Sequence, residues 1–135
     1  MSPGKMHEYR QIVDATERFV RSNRQQSLCI TDLCRKSQIS ERTLRNAFYR
    51  VYGVSPYRCL RLQRMSAVRQ ALMLPPSHNA TVTQLAMDYG FIELGRFSVE
   101  YRLAFGECPS TTLRRAQLKQ RIAPSRSQRI ESYPV

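Results

Sequence analysis

A stretch in the first half of the chain carries side chains that are suited to contacting nucleic acid. It reads SQISERTLRNAFYRVYGVSP and covers residues 37–56. Four of its side chains recur at i, i+3, i+4 and i+7, the spacing of one helix face: Arg42, Arg45, Asn46 and Tyr49. Arginine can donate two hydrogen bonds to guanine, and asparagine can donate to and accept from adenine, each good pair giving about 1–3 kcal/mol of discrimination. Arg42, Arg45 and Asn46 are therefore predicted to read bases.

Other residues of the same predicted helix are better suited to the phosphate backbone. Ser40 and Glu41 stand at its start, and Tyr49 and Arg50 lie further along it. Polar side chains and helix N-termini make most of the phosphate contacts in protein–DNA complexes, and these contacts position a protein without reading sequence. We expect these four residues to fix the register of the helix on a duplex.

The net charge favours a polyanionic partner. The 135 residues include 22 Lys and Arg against ten Asp and Glu, giving a formal charge of +12, and 19 of the 22 are Arg. Each phosphate that such a surface neutralises releases condensed counterions, and the arginine fork grips phosphate or guanine at two points. The competing interpretation is a solvated surface on which a GC-rich genome encodes Arg in place of Lys.

Amphipathic spacing and cap signals predict about seven helices. The first covers residues 7–24, Thr31 is predicted to cap a short second helix, and Ser40 a third that ends at Gly53. Three residues of the third helix are expected to face a core: Leu44, Phe48 and Tyr52. A connecting helix over 56–74 is predicted to begin at Ser55 and Pro56 and to end before Pro75 and Pro76.

The connecting helix has two apolar stripes, so it is predicted to be buried on two sides. One stripe contains Leu62, Met65, Val68 and Leu72, and the other contains Leu60, Ala67, Ala71 and Leu74. Nineteen residues at about 1.5 Å each span roughly 28 Å, close to the roughly 34 Å between successive major grooves on one face of B-DNA. Two helices held apart by such a connection are predicted to enter adjacent major grooves.

The second half of the chain repeats the first. At a shift of 52 residues Leu33 corresponds to Leu85 and Gln38 to Gly90, and at a shift of 53 Gly53 corresponds to Gly106. At the second shift the apolar residues also correspond, Leu44 to Phe97 and Phe48 to Tyr101. The repeat predicts an all-α fold of two helix-turn-helix subdomains joined by the long connecting helix.

The predicted division of the chain has five parts. They are an N-terminal helix that packs on the first lobe (1–27), the first helix-turn-helix (28–55), the connecting helix (56–74), the second helix-turn-helix with a closing helix (75–122) and a disordered tail (123–135). The tail is assigned because Pro, Ser and Arg replace periodic apolar residues there.

Both halves resemble the AraC/XylS class of bacterial transcription regulators. The first resembling stretch is TDLCRKSQISERTLRNAFYRVYGVSPYRCLRLQRM, and the second is VTQLAMDYGFIELGRFSVEYRLAFGECPSTTLRR. The resemblance covers about residues 28–115. It implies a two-unit domain that binds double-stranded promoter DNA at the bacterial nucleoid, often contacts RNA polymerase as an activator, and usually follows an effector or dimerisation domain. Dimerisation, if any, is therefore expected through a domain absent from this chain.

The resemblance also implies contact residues in both units. In the first unit the base contacts fall on Arg42, Arg45 and Asn46. In the second unit they fall around Leu94, Gly95, Arg96, Ser98 and Val99, of which Arg96 and Ser98 are expected to read bases. Gly95 and Arg102 are expected at the backbone. Because this second face holds fewer hydrogen-bonding groups, the first unit is predicted to supply most of the base discrimination.

Two other function classes remain as alternatives. A protein-interaction module could use the same fold, since framework residues report packing alone. A DNA-repair methyl acceptor would need clustered thiolates around zinc, whereas Cys29, Cys34, Cys59 and Cys108 are scattered. Neither histidine has a nucleophile or carboxylate arrangement around it, so no enzyme, cofactor or metal site is expected. No eighteen-residue apolar run or secretion signal is present, so we expect a cytoplasmic protein without a membrane partner.

Overall fold

The computed structural model describes residues 2–74 and 80–122, which form seven α-helices and no strand. The helices are α1 (Pro3–Ser22), α2 (Ile30–Ser37), α3 (Glu41–Tyr52), α4 (Pro56–Met73), α5 (Val82–Asp88), α6 (Leu94–Phe105) and α7 (Pro109–Ile122). The predicted all-α fold of about seven helices is confirmed. Pro75 and Pro76, predicted to end the connecting helix, and the tail predicted over 123–135 lie outside the described residues.

The first helix begins earlier than its apolar spacing predicts. The Ser2 side chain accepts a hydrogen bond from the Lys5 backbone N–H at 3.3 Å, and a proline follows Ser2. A serine cap followed by proline is a favourable helix entry, because it satisfies one unpaired N–H group and removes another. The predicted start at residue 7 is therefore wrong by four residues. Val13, Thr16 and Val20 form the buried face of α1.

Thr31 does not cap α2, so that prediction is wrong. Cys29 occupies the cap position without a side-chain hydrogen bond, and Thr31 lies inside the first turn. The Thr31 hydroxyl donates instead to Glu41 Oε1 at 3.1 Å, which joins the first turns of α2 and α3. Threonine is a residue type that favours helix caps, but the hydroxyl of Thr31 is directed to Glu41, ten residues away.

The turn between α2 and α3 contains a strained residue. Gln38 follows the last residue of α2 with a φ of 57°, and it is the one described residue other than glycine with positive φ. Its counterpart in the repeat, Gly90, has a φ of 86°. A side chain makes the left-handed conformation less favourable, whereas glycine adopts it freely. The first turn therefore carries a conformational cost that the second avoids.

Both ends of α3 agree with the sequence prediction. The Ser40 side chain accepts from the Thr43 backbone N–H at 3.1 Å. At the other end Gly53 has a φ of 74°, and its N–H donates to the Tyr49 carbonyl at 2.9 Å. These two contacts are a serine N-cap and a left-handed glycine C-cap, and together they fix the length of α3.

One of the three residues of α3 that were predicted to face a core does not do so. Leu44 and Phe48 are buried, but Tyr52 remains 46% exposed. The Tyr52 ring lies against Phe48 with 6.1 Å between centroids, and its hydroxyl donates to Glu17 of α1 at 3.1 Å. Its position at the end of the helix leaves the ring half covered and its polar group bonded, an arrangement that is common for tyrosine.

The described chain divides into two compact units. The first contains α1–α3, α4 up to Ser66 and the short stretch Asp88–Gly90, and the second contains α4 from Ala67, α5 up to Met87, α6 and α7. The core of the first unit joins α1, α2, α3 and the start of α4. Its buried apolar residues include Val13, Leu33, Leu44, Phe48 and Leu60. The α1–α3 contact thereby holds α3 with its opposite face in solvent.

The second unit is built around a row of aromatic rings. The ring centroids of Phe91 and Phe97 are 4.7 Å apart, those of Phe97 and Tyr101 are 5.8 Å apart, and those of Tyr101 and Phe105 are 4.7 Å apart. Tilted and edge arrangements at these separations add to the apolar burial. The Tyr101 hydroxyl is buried but hydrogen-bonded to Thr112 of α7 at 2.8 Å, so α6 and α7 are joined at the centre of the core.

Helix α4 contributes to both units, although its two predicted stripes are only partly correct. Leu60 and Met65 are buried in the first unit, and Val68 and Leu72 in the second. Two other stripe members, Leu62 and Leu74, are exposed. Periodicity alone assigned them to a core because it does not reveal where neighbouring helices end.

Candidate nucleic-acid interface

The predicted contact residues of the first unit lie together on the exposed face of α3. Helix α3 is the second helix of its helix-turn-helix, and its buried face is formed by Leu44, Ala47 and Phe48. The opposite face carries five exposed side chains: Arg42, Arg45, Asn46, Tyr49 and Arg50. The structure thus brings the predicted base readers and two of the predicted backbone contacts onto one surface. Their roles toward DNA stay predictions.

The arginines of this face are not neutralised by neighbouring carboxylates. Arg42, Arg45 and Arg50 form no ion pair within the described parts of the chain, residues 2–74 and 80–122. By contrast, Arg35 of α2 lies 2.5 Å from Asp32. Guanidinium groups without an internal acceptor keep all their donors for an external one. The exposed face of α3 can therefore offer fifteen N–H donors, about five from each arginine.

The start of α3 is held by its own polar contacts. Ser40 accepts from Thr43 as described, and Glu41 accepts from the Thr31 hydroxyl. Both residues are exposed, but the Glu41 carboxylate has no donor and the Ser40 hydroxyl donates to Thr43 Oγ1 at 2.9 Å, so in this arrangement only their backbone N–H groups can donate to a phosphate oxygen. The carboxylate of Glu41 also lies in the first turn, where it interacts favourably with the helix dipole. These contacts orient the first turn of α3 relative to α2.

The corresponding face of α6 is different in character. The predicted contact residues Gly95, Arg96, Ser98 and Arg102 are all exposed. However, Arg96 Nε donates to Glu100 Oε1 at 2.9 Å within the helix. Part of the Arg96 donor capacity is therefore used internally. The N-cap position, Glu93, makes no side-chain capping hydrogen bond, unlike Ser40 in the first unit.

Sequence reasoning missed one prominent residue on α6. Leu103 is 78% exposed and Val99 is 53% exposed. They are four residues apart, so they neighbour each other on the helix surface, on the side opposite the buried Phe97 and Tyr101. The spacing that identified the core face could have identified this exposed apolar pair as well.

A buried arginine was also missed. Arg64 of α4 is only 7% exposed, and its guanidinium donates to the backbone carbonyls of Gln26 at 2.5 Å and Asn23 at 3.2 Å. Burial lowers the pKa of Arg64 from its ordinary value, because desolvation disfavours the charged form. The side chain ties the loop after α1 to α4. The charge of Arg64 was included in the count from the sequence, but the sequence did not reveal that its side chain is buried.

The stretch Asp88–Gly90 packs against the same loop of the first unit. A Cβ atom built on Gly90 would lie 2.5 Å from both Arg64 Nη1 and the Gln26 carbonyl oxygen. Next to it, Arg24 donates to the Tyr89 hydroxyl at 3.2 Å and lies 4.8 Å from the centre of the Tyr89 ring. Glycine is thus required at position 90 by both its backbone conformation and the close approach of Arg64.

The thiols that are shielded from solvent are poor nucleophiles. Burial, and secondarily Glu41, raises the pKa of Cys34 above its ordinary value, and burial followed by Glu17 raises the pKa of Cys59. Since the thiolate is the reactive form, both groups stay protonated near neutral pH. Among the described residues, His, Cys, Asp and Glu form no group of three or more that could hold a metal ion.

None of the described helices combines the length and the hydropathy that a membrane span needs.

Comparisons with known proteins agree with this architecture. A family model described as a helix-turn-helix domain matches residues 33–115, more than half of the chain. The XylDLEGF operon transcriptional activator of Pseudomonas putida is 36% identical over 105 residues, which make up 78% of this chain and 32% of that protein. A protein of Rhodococcus erythropolis described as a "Probable thc operon regulatory protein" is 33% identical over 71% of this chain and 29% of its own length.

Solved structures share the fold. A "probable AraC family transcriptional regulator" from Rhodopseudomonas palustris matches with a TM-score of 0.65 and 34% identity, over 79% of this chain and 98% of that one. The C-terminal domain of AraT, a response regulator from Geobacillus stearothermophilus, matches with a TM-score of 0.71 over 95% of this chain and 98% of that one, but at 19% identity it supports the fold alone. The chain belongs to the AraC/XylS-type family of helix-turn-helix DNA-binding domains. It spans about a third of the length of the Pseudomonas and Rhodococcus relatives.

Proposed function

We propose that the chain binds double-stranded promoter DNA in a sequence-specific manner, with α3 and α6 entering adjacent major grooves. The observation that carries the proposal is the exposed face of α3, whose arginines have no acceptor among the described residues. In helix-turn-helix units the second helix lies in the major groove and its N-terminal residues contact base edges. Arg42, Arg45 and Asn46 occupy those positions in α3, and Arg96 and Ser98 do so in α6.

The remaining exposed residues are proposed to contact the phosphate backbone of the DNA. Ser40, Glu41, Tyr49 and Arg50 position the first unit, and Gly95 and Arg102 position the second. Contacts of this kind set register and supply the salt-dependent part of the affinity. The pairing of Arg96 with Glu100 supports the view that the first unit makes most of the hydrogen-bonded base discrimination.

The role in transcription follows from the relatives. The Pseudomonas relative is an operon activator by its description, and we propose that this chain likewise acts at promoters, as an activator that contacts RNA polymerase. The role is one of binding, with no enzymatic step, cofactor or membrane. A promoter target would place the protein in the bacterial cytoplasm at the nucleoid, and any dimerisation would use a domain absent from these 135 residues.

Fluorescence anisotropy with labelled duplexes across a salt series tests this proposal. Counterion release predicts that log K falls linearly with log salt, with a slope of about −0.9 for each phosphate neutralised. Arg42→Ala should weaken binding, and Arg10→Ala, an exposed arginine of α1, serves as the matched control for lost charge. A flat response with no detectable binding at low salt would instead favour the protein-interaction module.

A further inference from the structure

The recognition helix of the second unit has an apolar centre on its exposed face. Val99 is 53% exposed and Leu103 is 78% exposed, one turn apart and opposite the core residues Phe97 and Tyr101. We propose that α6 reads thymine through its 5-methyl group, with Val99 as the residue that contacts the methyl group and Leu103, one turn further along, as the residue that shields this contact from water. This inference rests on the proposed function, which it deepens by assigning a base preference and a mode of contact to the second unit.

The internal repeat indicates which partner this pair meets. At the shift of 53 residues, Val99 corresponds to Asn46 and Leu103 to Arg50. Both counterparts lie on the exposed face of α3 that carries the predicted DNA contacts. If α6 docks as α3 does, Val99 takes the base-facing place of Asn46, and Leu103, at the place of Arg50, lies beside it on the backbone side of the major groove. Of the four bases, thymine alone presents a methyl group there, and apolar side chains are its usual contacts.

The first turn of α6 permits the close approach that a methyl contact needs. Gly95 is exposed and corresponds to Arg42 in the repeat. A Cβ atom added at Gly95 would meet nothing within 4 Å, so packing inside the protein does not demand glycine at this position. Glycine weakens a helix, and an exposed one leaves a low surface over which a base pair can come near the backbone. Apolar contact requires heavy atoms within about 4.0–4.5 Å.

The charged groups on α6 fit a contact that does not depend on hydrogen bonds to bases. Arg96 lies beside Val99 but donates to Glu100, and Glu93 at the helix start adds a second carboxylate. Carboxylates would oppose a close approach to phosphates, whereas exposed Arg102 on the flank favours it. The exposed Arg102 on the flank, together with the α3 correspondence, favours DNA over an apolar protein surface as the partner.

A deoxyuridine scan tests the inference, because uracil differs from thymine at this edge only by the missing methyl group. A duplex obtained by selection from random sequence is resynthesised with each thymine replaced singly by deoxyuridine. Transfer of one methyl group from water corresponds to about a fourfold change in affinity. We expect wild-type affinity to fall about fourfold at one or two thymines. The variant Val99→Ala/Leu103→Ala should bind the thymine duplex more weakly than the wild type by a similar factor. Deoxyuridine at those one or two positions should not lower the affinity of this variant further.

Leu118→Ala provides the matched control, because Leu118 is an exposed apolar residue of α7 in the same unit. This variant should keep the full response to deoxyuridine. All proteins are checked by circular dichroism, and the alanine changes at exposed positions should leave the fold intact. Wild-type binding that is specific but unaffected by every deoxyuridine overturns the inference and leaves the proposed function standing. An equal deoxyuridine response in the wild type and the Val99→Ala/Leu103→Ala variant also overturns it. Failure to bind any duplex overturns both.

Discussion

Replacement of Gly90 by alanine should lower the free energy of unfolding of the first unit more than the same replacement at Gly53, an exposed glycine cap of that unit. Gly90 and Gly53 have similar positive φ values, 86° and 74°. An alanine in this conformation costs about 1–2 kcal/mol at either position. At Gly53 a Cβ atom meets nothing within 4 Å, but at Gly90 it lies 2.5 Å from Arg64 Nη1 and from the Gln26 carbonyl oxygen. Gly53→Ala is therefore the control for backbone strain alone.

The additional cost at position 90 comes from the displaced guanidinium. Arg64 must move, and its short hydrogen bond to the Gln26 carbonyl is lost or bent. A hydrogen bond from a charged group contributes about 1.5–3 kcal/mol, so with the strain of about 1–2 kcal/mol Gly90→Ala should cost about 2.5–5 kcal/mol in total. The two variants differ by this hydrogen-bond contribution of about 1.5–3 kcal/mol, so with a urea slope of about 1–2 kcal/mol per M for a small domain their midpoints should differ by roughly 0.8–3 M.

Urea unfolding monitored by far-UV circular dichroism measures this difference. Gly53 and Gly90 belong to the same compact unit, so both changes act on the same transition. If the two variants unfold at the same urea concentration, residue 90 has space for a side chain, and the close packing of Arg64 against the Asp88–Gly90 stretch is refuted.

Three further results are expected. Arg45→Ala should reduce the difference in binding free energy between the cognate and the scrambled duplex by about 1–3 kcal/mol. Arg96→Ala should reduce that difference by less, since Arg96 also donates to Glu100. Equal losses on both duplexes for Arg45→Ala would contradict the division of roles. Gln38→Gly should raise the unfolding free energy by about 0.5–1 kcal/mol, because it relieves the strain of a φ of 57°; thermal unfolding would show a lowered midpoint if that strain were absent. The raised pKa of Cys34 means that the folded state favours the neutral thiol, so its stabilisation is present below the unfolded thiol pKa and declines as pH rises through the folded one. Chemical unfolding between pH 7 and pH 10 should show a smaller decline in Cys34→Ala than in wild type, and parallel curves would remove Cys34 as a cause.

The sequence predicted those features that depend on local chemistry or on repetition. The Ser40 and Gly53 caps were correct because each involves a hydrogen bond within four residues. The repeat located the core positions of α6, since Phe97 and Tyr101 occupy the places of Leu44 and Phe48. The exposed face of α3 followed from the same helical spacing. These predictions required no knowledge of distant neighbours.

Features that depend on distant neighbours were missed. The hydroxyl of Thr31 binds Glu41, so it does not cap its helix. Tyr52 remains half exposed, and its hydroxyl donates a hydrogen bond to Glu17, 35 residues earlier. Arg64 was counted as surface charge, yet its acceptors are backbone carbonyls about 40 residues away. Residue type and spacing do not specify such pairings, because they arise only when the helices have packed.

The most direct test of two-helix binding to DNA is a missing-nucleoside interference experiment on a selected binding site. Nucleosides are removed at random positions across a population of duplexes, and the bound and free duplexes are then separated and sequenced. Recognition by α3 and α6 in successive major grooves predicts two clusters of nucleosides whose loss prevents binding, with centres about 10 base pairs apart. A single cluster, or loss of binding spread evenly along the duplex, would contradict it.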